Sequence, residues 1–393
     1  MPQSCLSQGR TRKVLKRSRY GCRNCKVRKL KCDEKRPQCQ RCSSFGILCN
    51  FSPGIPDLQP IADSRMGLIT QRLTRLQPPV SNAVWTSDHS TLDQMSTRCQ
   101  NFISRYLDQN LITPNDSNMA HVNSKLLELT FTHPYLMHAS FAVALAYDRY
   151  LNSSSAHRRL EECQHFFRSI ALFNQRLDSP ITPGDKDAIW GTAAALAMLA
   201  FASPDSSTTK SCWPLRRSEP SDLEWLRMNE GKMSLWNSID PLRPDSIFQV
   251  MAATYSQMNA PIPEQGIDGV SRPLISLCRL NDLSTAKSNV YFSAVHAISE
   301  IQNIPDGNVT VAHAERFTRS IHGPFTTRLL EKDPIALLLL HLWYEKAGRS
   351  IWWIDLRAQV ECPAICSYLA LHHGKDETLQ ELLPPGYRVG IKA

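Results

Sequence analysis

The sequence predicts a small cysteine-rich module, a proline-rich linker and a large all-α domain, in that order along the 393-residue chain. Three observations predict this arrangement. Six of the thirteen cysteines form one regular array between residues 22 and 49. Five prolines fall within residues 51–95, which is typical of a linker. From about residue 96 onward, apolar residues recur at three- and four-residue spacing, and the alternation expected of strands is nearly absent.

The positive charge of the chain is concentrated at its N-terminal end. Residues 1–50 contain fourteen Lys or Arg against two acidic residues, a net charge of +12, whereas the remaining 343 residues carry −3. Such asymmetry indicates a polyanionic partner for the first segment alone. Within it, residues 1–19 are predicted to be a flexible basic arm. Its stretch from Arg10 to Arg19 fits a nuclear-import signal, an arm along phosphates, or a merely disordered tail.

The remaining cysteines are scattered among apolar neighbours, and no apolar signal-peptide core follows the basic N-terminus. The longest apolar run, residues 188–202, is shorter than a membrane span. We therefore expect no membrane partner and a reducing, intracellular compartment. In such a compartment a dense cysteine array indicates metal binding rather than disulfides.

The array consists of two equal halves. Cys22-x2-Cys25-x6-Cys32 recurs as Cys39-x2-Cys42-x6-Cys49. A Cys-x2-Cys pair lets two thiolates converge on one tetrahedral Zn²⁺ at ~2.3 Å. Two separate tetrahedral ions would need more ligands than the six cysteines of the array supply. The six thiolates suffice if two of them bridge the metals. We expect a metal-stabilised module with two short helices, one in each six-residue spacer, because so short a segment buries little core.

The residues between the ligands indicate what the module binds. The first spacer, residues 26–31, contains four cations, whereas the second, residues 43–48, contains none. Arginine can pair with guanine O6 and N7, and lysine can contact guanine or phosphate. A solvated helix face is the alternative for such a charge run taken alone. Beside a metal-stabilised, strongly basic segment, the pattern favours DNA contact.

Residues 21–51 closely resemble the fungal binuclear zinc-cluster (Zn2Cys6) transcription factors, and Pro37 matches the loop proline of that family. The resemblance implies closed, structural zinc sites in which Cys22 and Cys39 bridge both ions. It also implies that Arg28 and Lys29 contact the bases of a CGG-type triplet in the major groove. It implies phosphate contacts from Lys26, Lys31 and Arg23. The implied ligands are Cys22, Cys25, Cys32 and Cys39 for one Zn²⁺, and Cys39, Cys42, Cys49 and Cys22 for the other.

Helical spacing and start signals define the C-terminal region. Apolar residues of Cys99–Leu107 and Cys163–Leu177 follow the spacing of amphipathic helices. Thr182-Pro183 and Asp333-Pro334 are typical N-cap and N1 pairs, so helices are expected to begin there. Residues 203–220 and 261–273 are predicted to be long loops.

Two stretches of the helical region resemble the regulatory region of the sterol-uptake regulators and related secondary-metabolism regulators. They are Phe131–His138, around Thr132-His133-Pro134-Tyr135, and Leu342–Leu369, around Ile351-Trp352-Trp353. The resemblance implies an all-α fungal transcription-factor regulatory domain that can hold a sterol in an apolar pocket. Whether this chain binds an apolar small-molecule effector is left open. Trp352 and Trp353 are expected in the core rather than in a pocket.

The linker carries one short repeat, in which Met66, Ile69, Leu73 and Leu76 follow coiled-coil spacing over barely two heptads. A homodimer and a short solvated helix both fit this pattern, and the latter is favoured. The predicted domains are 1–19 (basic arm), 20–50 (Zn2Cys6 DNA-binding domain), 51–95 (linker) and 96–393 (regulatory domain).

Common catalytic motifs are absent from the sequence, so no enzyme is expected. Cys362, Cys366, His372 and His373 could form a third metal site, but one buried helix face is the simpler interpretation. We expect a nuclear, sequence-specific transcription factor of RNA polymerase II genes, with double-stranded DNA and the transcription machinery as partners. Its targets would be a secondary-metabolite gene cluster or sterol genes. The alternatives are a metal- or redox-sensing thiol protein, and an enzyme with an unrecognised site in the helical region.

Overall fold

A computed structural model describes residues 20–28, 30–44, 47, 49–51, 117–152, 160–204, 208–219, 221–321 and 323–388. The chain divides into two compact units, residues 1–61 and 62–393, and each is described by itself. Several predictions lie outside the described residues: the basic arm, most of the linker with its heptad pattern, the helix at Cys99–Leu107, and Lys29.

The first unit contains the helices α1 (Arg23–Val27) and α2 (Gln40–Ser44). Two short helices were expected within the six-residue spacers. Instead, each begins directly after the first cysteine of its half and extends only two residues into the spacer, so the predicted position was wrong. Cys22 is the N-cap of α1, and its sulfur accepts from the backbone N–H of Cys25 at 3.4 Å. Sulfur thus takes the part that a serine or aspartate oxygen commonly plays at an N-cap. The second helix consequently includes Arg41 and is not free of cations.

The second unit is all-α, and no strand occurs among the residues described there. Its helices, in chain order, are α3 (Ser117–Thr130), α4 (Pro134–Asn152), α5 (Leu160–Leu177), α6 (Lys186–Phe201), α7 (Glu224–Ser234), α8 (Trp236–Ile239), α9 (Ala252–Met258), α10 (Arg272–Cys278), α11 (Phe292–Gln302), α12 (Val311–Ser320), α13 (Pro324–Leu330), α14 (Pro334–Gly348), α15 (Trp352–His373) and α16 (Glu377–Leu382). Short 3₁₀ turns occupy Pro183–Asp185, Thr209–Ser211, Gln249–Met251 and Pro385–Tyr387. None of the described helices is long and apolar enough to cross a membrane.

Both predicted start signals coincide with helix beginnings. Asp333 caps α14, its Oδ1 accepting from the backbone N–H groups of Ile335 and Ala336 at 3.0 Å each. At Thr182-Pro183 the chain first makes the 3₁₀ turn Pro183–Asp185 and then enters α6. The predicted helix at Cys163–Leu177 lies within α5, which buries Cys163, Phe166 and Phe173.

The core is built around α6 and the antiparallel pair α14 and α15. Residues 337–344 of α14 are all buried, as are most residues of α6, so both helices are apolar on every face. Gly348 lies where the pair turns, and a Cβ there would stand 3.4 Å from the Cα of Asp355, in van der Waals contact with the start of α15. Trp352 and Trp353 are 5% and 7% exposed, as expected for core residues.

A buried polar network fastens α6 to α15. The guanidinium of Arg357 donates to the carbonyl of Phe201 at 2.6 Å and forms an ion pair with Glu361. Glu361 also accepts from the hydroxyl of Tyr344 at 2.6 Å. Arg357 thereby satisfies the carbonyl of Phe201, the last of α6, and one of its terminal nitrogens lies 3.4 Å from the carbonyl of Ala200.

Candidate metal centre and nucleic-acid interface

Six buried cysteines converge in the first unit, each with at most 5% of its surface exposed. Their sulfur atoms form two groups of four, and within each group all sulfurs lie within 4.8 Å of one another. Cys22 and Cys39 belong to both groups. Cys25 and Cys32 complete one group, and Cys42 and Cys49 complete the other.

The sulfur separations fit metal ligation rather than disulfides. Sγ of Cys22 lies 3.8 Å from that of Cys39, 3.5 Å from that of Cys42 and 3.9 Å from that of Cys32. Sγ of Cys25 lies 3.7 Å from that of Cys39. A disulfide requires ~2.05 Å, whereas a tetrahedral Zn²⁺ with bonds of ~2.3 Å has sulfur–sulfur edges of roughly 3.8 Å. The donor set therefore fits two closed four-sulfur sites.

The electrostatics of the bare thiols shows why a cation is needed. Burial raises the pKa of Cys32 to about 11 and the pKa of Cys49 to about 12. A hydrogen bond to Cys39 raises the pKa of Cys25 well above its ordinary range. The pKa of Cys39 is lowered because neighbouring sulfurs donate to it. Several thiolates this close together are stable only beside a positive charge, and a divalent ion supplies it.

The two halves cap each other's helices. Oδ1 of Asn50 accepts from the backbone N–H of Asn24 in α1 at 2.6 Å. In the equivalent position of the other half, Oδ1 of Asp33 accepts from the backbone N–H of Gln40 in α2 at 3.0 Å. Asp33 and Asn50 each follow the third cysteine of their half, so equivalent residues accept in the two halves, although the donor is the second residue of α1 and the first residue of α2.

A further clamp joins the loop before α2 to the end of the cluster. The side-chain amide of Gln38 donates to the carbonyl of Ile47 at 2.5 Å, and its Oε1 accepts from the backbone N–H of Cys49 at 2.8 Å. The two bonds of Gln38 therefore hold the segment that ends in Cys49 against the loop before α2.

The predicted DNA-contacting residues differ in exposure. Arg23 and Lys26 on α1 are exposed, and so is Lys31 beyond the end of that helix. Arg28 is half-buried at the C-cap of α1, and its guanidinium donates to the carbonyl of Arg41 at a long 3.4 Å. Lys29 lies outside the described residues.

Sequence reasoning did not single out Lys35 and Arg36, which are also exposed in the loop between the halves. The guanidinium of Arg36 lies over the ring of Phe51, 5.0 Å from its centroid. The position of Lys35 and Arg36 within the strongly basic segment was the feature of the sequence that could have identified them as candidate DNA contacts. Together with the exposed residues of α1, they add to the exposed positive charge of this unit.

Residues 20–56 match the sequence family described as the fungal Zn(2)-Cys(6) binuclear cluster domain. The chain carries a fungal Zn(2)-Cys(6) cluster domain. This domain binds two zinc ions, and the six sulfurs of the chain are arranged for such a binuclear cluster.

Relatives that align with different lengths of the chain are described as the same class or as regulators. A Zn(2)-C6 fungal-type transcription factor of Gibberella zeae is 23% identical over 412 aligned residues, which cover 91% of this chain and 83% of that protein. The Zn(2)-C6 fungal-type transcription factor afumD of Aspergillus fumigatus is 25% identical over 225 residues, 57% of this chain and 55% of that protein. Sterol uptake control protein 2 of Saccharomyces cerevisiae is 42% identical over 50 residues, only 13% of this chain and 5% of that protein. The cluster domain and these relatives support a DNA-binding transcription regulator.

The weaker candidate residues of the helical unit do not form a metal-ligand group among the residues that the structure describes. In the described part of the chain, the sulfur groups of the cluster are the only sets of three or more Cys, His, Asp or Glu side chains that converge on one point. On α15, Cys366 is buried and Cys362 is half-buried, so the single buried face that was expected for both cysteines holds fully only for Cys366. His372 and His373 end that helix before Gly374.

One cysteine of this unit does contact a histidine. Sγ of Cys366 lies 3.6 Å from Nδ1 of His341. Burial raises the pKa of Cys366 to about 12 and lowers the pKa of His341, so the thiol is neutral beside a neutral imidazole. An activated nucleophilic thiol requires the opposite shifts.

Proposed function

We propose that this protein is a nuclear, sequence-specific transcription factor of RNA polymerase II genes, and that its zinc cluster reads a CGG-type triplet. The observation that carries the proposal is the combination of a two-metal sulfur centre with the exposed cations Arg23, Lys26 and Lys31 around α1. A metal-stabilised scaffold holds these cations at fixed positions at little entropic cost. Fixed positions are what register on a phosphate backbone requires.

In this proposal Cys22 and Cys39 bridge the two zinc ions. Cys25 and Cys32 complete one site, and Cys42 and Cys49 complete the other. Four thiolates close each tetrahedral site, so no position remains for a catalytic water and the ions are structural. They stabilise the fold of the module and set the direction of α1.

The DNA contacts divide into two kinds. Arg28 and Lys29 would contact base edges in the major groove, while Lys26, Lys31 and Arg23 would contact phosphates. The 3.4 Å contact between Arg28 and the carbonyl of Arg41 is long for a charged donor. An arginine can instead pair with O6 and N7 of guanine in a bidentate arrangement.

We further propose that the helical region is a regulatory domain acting on a secondary-metabolite gene cluster or on sterol genes. The relatives that span most or half of the chain are described as transcription factors, and a short match is described as a sterol uptake control protein. The transcription machinery, a second copy of the chain and an apolar effector are its proposed partners.

Selection of binding sites from random DNA tests this function. The zinc-loaded full chain should enrich a CGG-type triplet, and a Cys39→Ser variant prepared in the same way should enrich nothing. One triplet in the selected sites means a monomer, and two at fixed spacing and orientation mean a dimer. Equal binding to all sequences by the zinc-loaded chain would overturn sequence-specific recognition.

A further inference from the structure

The helical unit contains an apolar cavity of about 150 Å³ among α6, α7, α9 and α12. Its lining combines methionines with aromatic rings, among them Met198, Met233, Met251, Trp190, Trp225 and Phe248. Cavities of this volume lined by apolar side chains are large enough for an aromatic ring. Methionine sulfur makes favourable contacts with aromatic rings and adapts to their shape. The lining therefore favours a flat aromatic body of one or two rings.

Three charged side chains also line the cavity, and their charges do not sum to zero. Nζ of Lys232 lies 3.6 Å from a carboxylate oxygen of Glu315, so these two form an ion pair. Arg319, one helical turn after Glu315 on α12, has no carboxylate partner among the residues described. It is half-buried, and its Nε–H has no acceptor in the part of the chain that the structure describes. The cavity thus carries one uncompensated positive charge.

The contacts that Arg319 makes in the structure are with neutral groups, which bind a guanidinium less strongly than an anion does. One terminal nitrogen donates to the side-chain oxygen of Asn259, and the other lies 3.5 Å from the sulfur of Met233. An amide oxygen and a thioether are neutral, and the thioether is a poor acceptor. A carboxylate would accept from the planar guanidinium in a bidentate, charge-assisted arrangement.

We propose that this cavity binds an aromatic carboxylic acid, with the ring among the methionines and tryptophans and the carboxylate at Arg319. The ligand class follows from the flat apolar lining and the single uncompensated guanidinium. Trp353 then has two roles, because it packs in the core and also lines the cavity. The proposal rests on the proposed effector role of the helical region, and it replaces a wholly apolar effector with one that has an apolar ring and an anionic group.

Calorimetric titration of the zinc-loaded full chain with 2-naphthoate tests the site. The neutral analogue 2-naphthamide has the same ring system and nearly the same shape. We expect naphthoate to bind about tenfold more tightly than naphthamide, since only the anion gains the charge-assisted pair. An Arg319→Gln variant should lose this preference while binding naphthamide as before.

Two further variants separate the site from general effects. Arg328→Gln removes a surface arginine of α13 that pairs with Glu331 at 3.6 Å, and it should leave both affinities unchanged. Ala194→Phe places a ring into the cavity from α6 and should abolish binding of both compounds while thermal unfolding stays cooperative.

Each outcome decides the proposal. Absence of binding by either compound overturns the site, and equal affinities that do not respond to Arg319→Gln overturn the anionic ligand class. Binding is measured without DNA, so failure here leaves the DNA-binding function standing. Failure of site selection on random DNA likewise leaves the cavity result unaffected.

Discussion

Asn50, the residue after the last cysteine of the cluster, caps the first helix by accepting from the backbone N–H of Asn24 at 2.6 Å. Both residues are at least 96% buried, so no water replaces this hydrogen bond if it is lost. The cap connects the end of the cluster to its beginning. It also fixes the direction of α1, which carries the exposed Arg23 and Lys26.

Replacing Asn50 with Ala should destabilise the cluster, because the buried N–H of Asn24 loses its acceptor. The cost of a lost cap is about 1–2 kcal/mol, which corresponds to roughly a 5- to 30-fold loss of zinc affinity in competition with a chelator. Asn50→Asp keeps an acceptor and places a negative charge at a helix N-terminus, so it should retain most of the affinity. Equal zinc affinity in the Ala variant and the original chain would contradict the capping role.

Replacing Cys39 with Ser should remove both zinc ions, because the sulfur of Cys39 belongs to both groups of four. The metal content of the purified chain, measured by native mass spectrometry, checks this expectation. Cys366→Ser is the matched control, since Cys366 is equally buried but lies in the helical unit. A Cys39→Ser variant that kept two zinc ions and DNA binding would refute the bridging assignment.

Replacing Lys29 with Ala should weaken binding to selected DNA sites more than binding to random DNA, by ~1–3 kcal/mol, because a base contact is lost. Lys26→Ala is the comparison, as Lys26 is exposed on α1 and is proposed to contact phosphate. That variant should weaken both kinds of DNA equally. Fluorescence anisotropy with both DNAs at one salt concentration measures the difference, and equal losses for Lys29→Ala would make it a phosphate contact.

The sequence contained the ligand spacing and the start signals at Thr182 and Asp333, because both depend on residues close together in the chain. The position of the cluster helices could not be predicted, since their caps come from sulfur atoms and from Asn50 and Asp33 of the opposite halves. The cavity could not be predicted either. Its charged residues Lys232 and Arg319 lie on helices far apart in the sequence, and only tertiary packing brings them together.

A pair of histidines in the helical unit should make its stability depend on pH. Nδ1 of His138 lies 2.8 Å from Nδ1 of His165. Burial lowers the pKa of His138 to about 3, with the charges of His165 and Arg168 adding to the effect, and burial lowers the pKa of His165 to about 4. The unfolded chain takes up these protons near its ordinary pKa of 6.5, whereas the folded chain does not.

Since the unfolded state binds more protons between pH 6.5 and pH 4, the free energy of unfolding should fall on acidification through this window. Each histidine contributes about 1.4 kcal/mol per pH unit. Urea unfolding at pH 7 and at pH 5 measures the total change. His165→Gln removes one titrating group and should reduce the pH dependence by about 2 kcal/mol over this interval; an unchanged dependence would contradict the assignment.

The buried ion pair between Arg149 of α4 and Glu162 of α5 should be costly to break from one side. Nε of Arg149 lies 2.9 Å from Oε2 of Glu162, and the two side chains are 1% and 0% exposed. Glu162→Ala leaves an uncompensated buried guanidinium and should lower the free energy of unfolding by about 3–5 kcal/mol. The double variant Arg149→Met, Glu162→Leu removes both charges and keeps apolar volume, so it should recover most of the loss. Urea unfolding of the original chain, the single variant and the double variant measures these free energies. A double variant less stable than Glu162→Ala would contradict the expectation and would show that the ion pair itself stabilises the contact of α4 with α5.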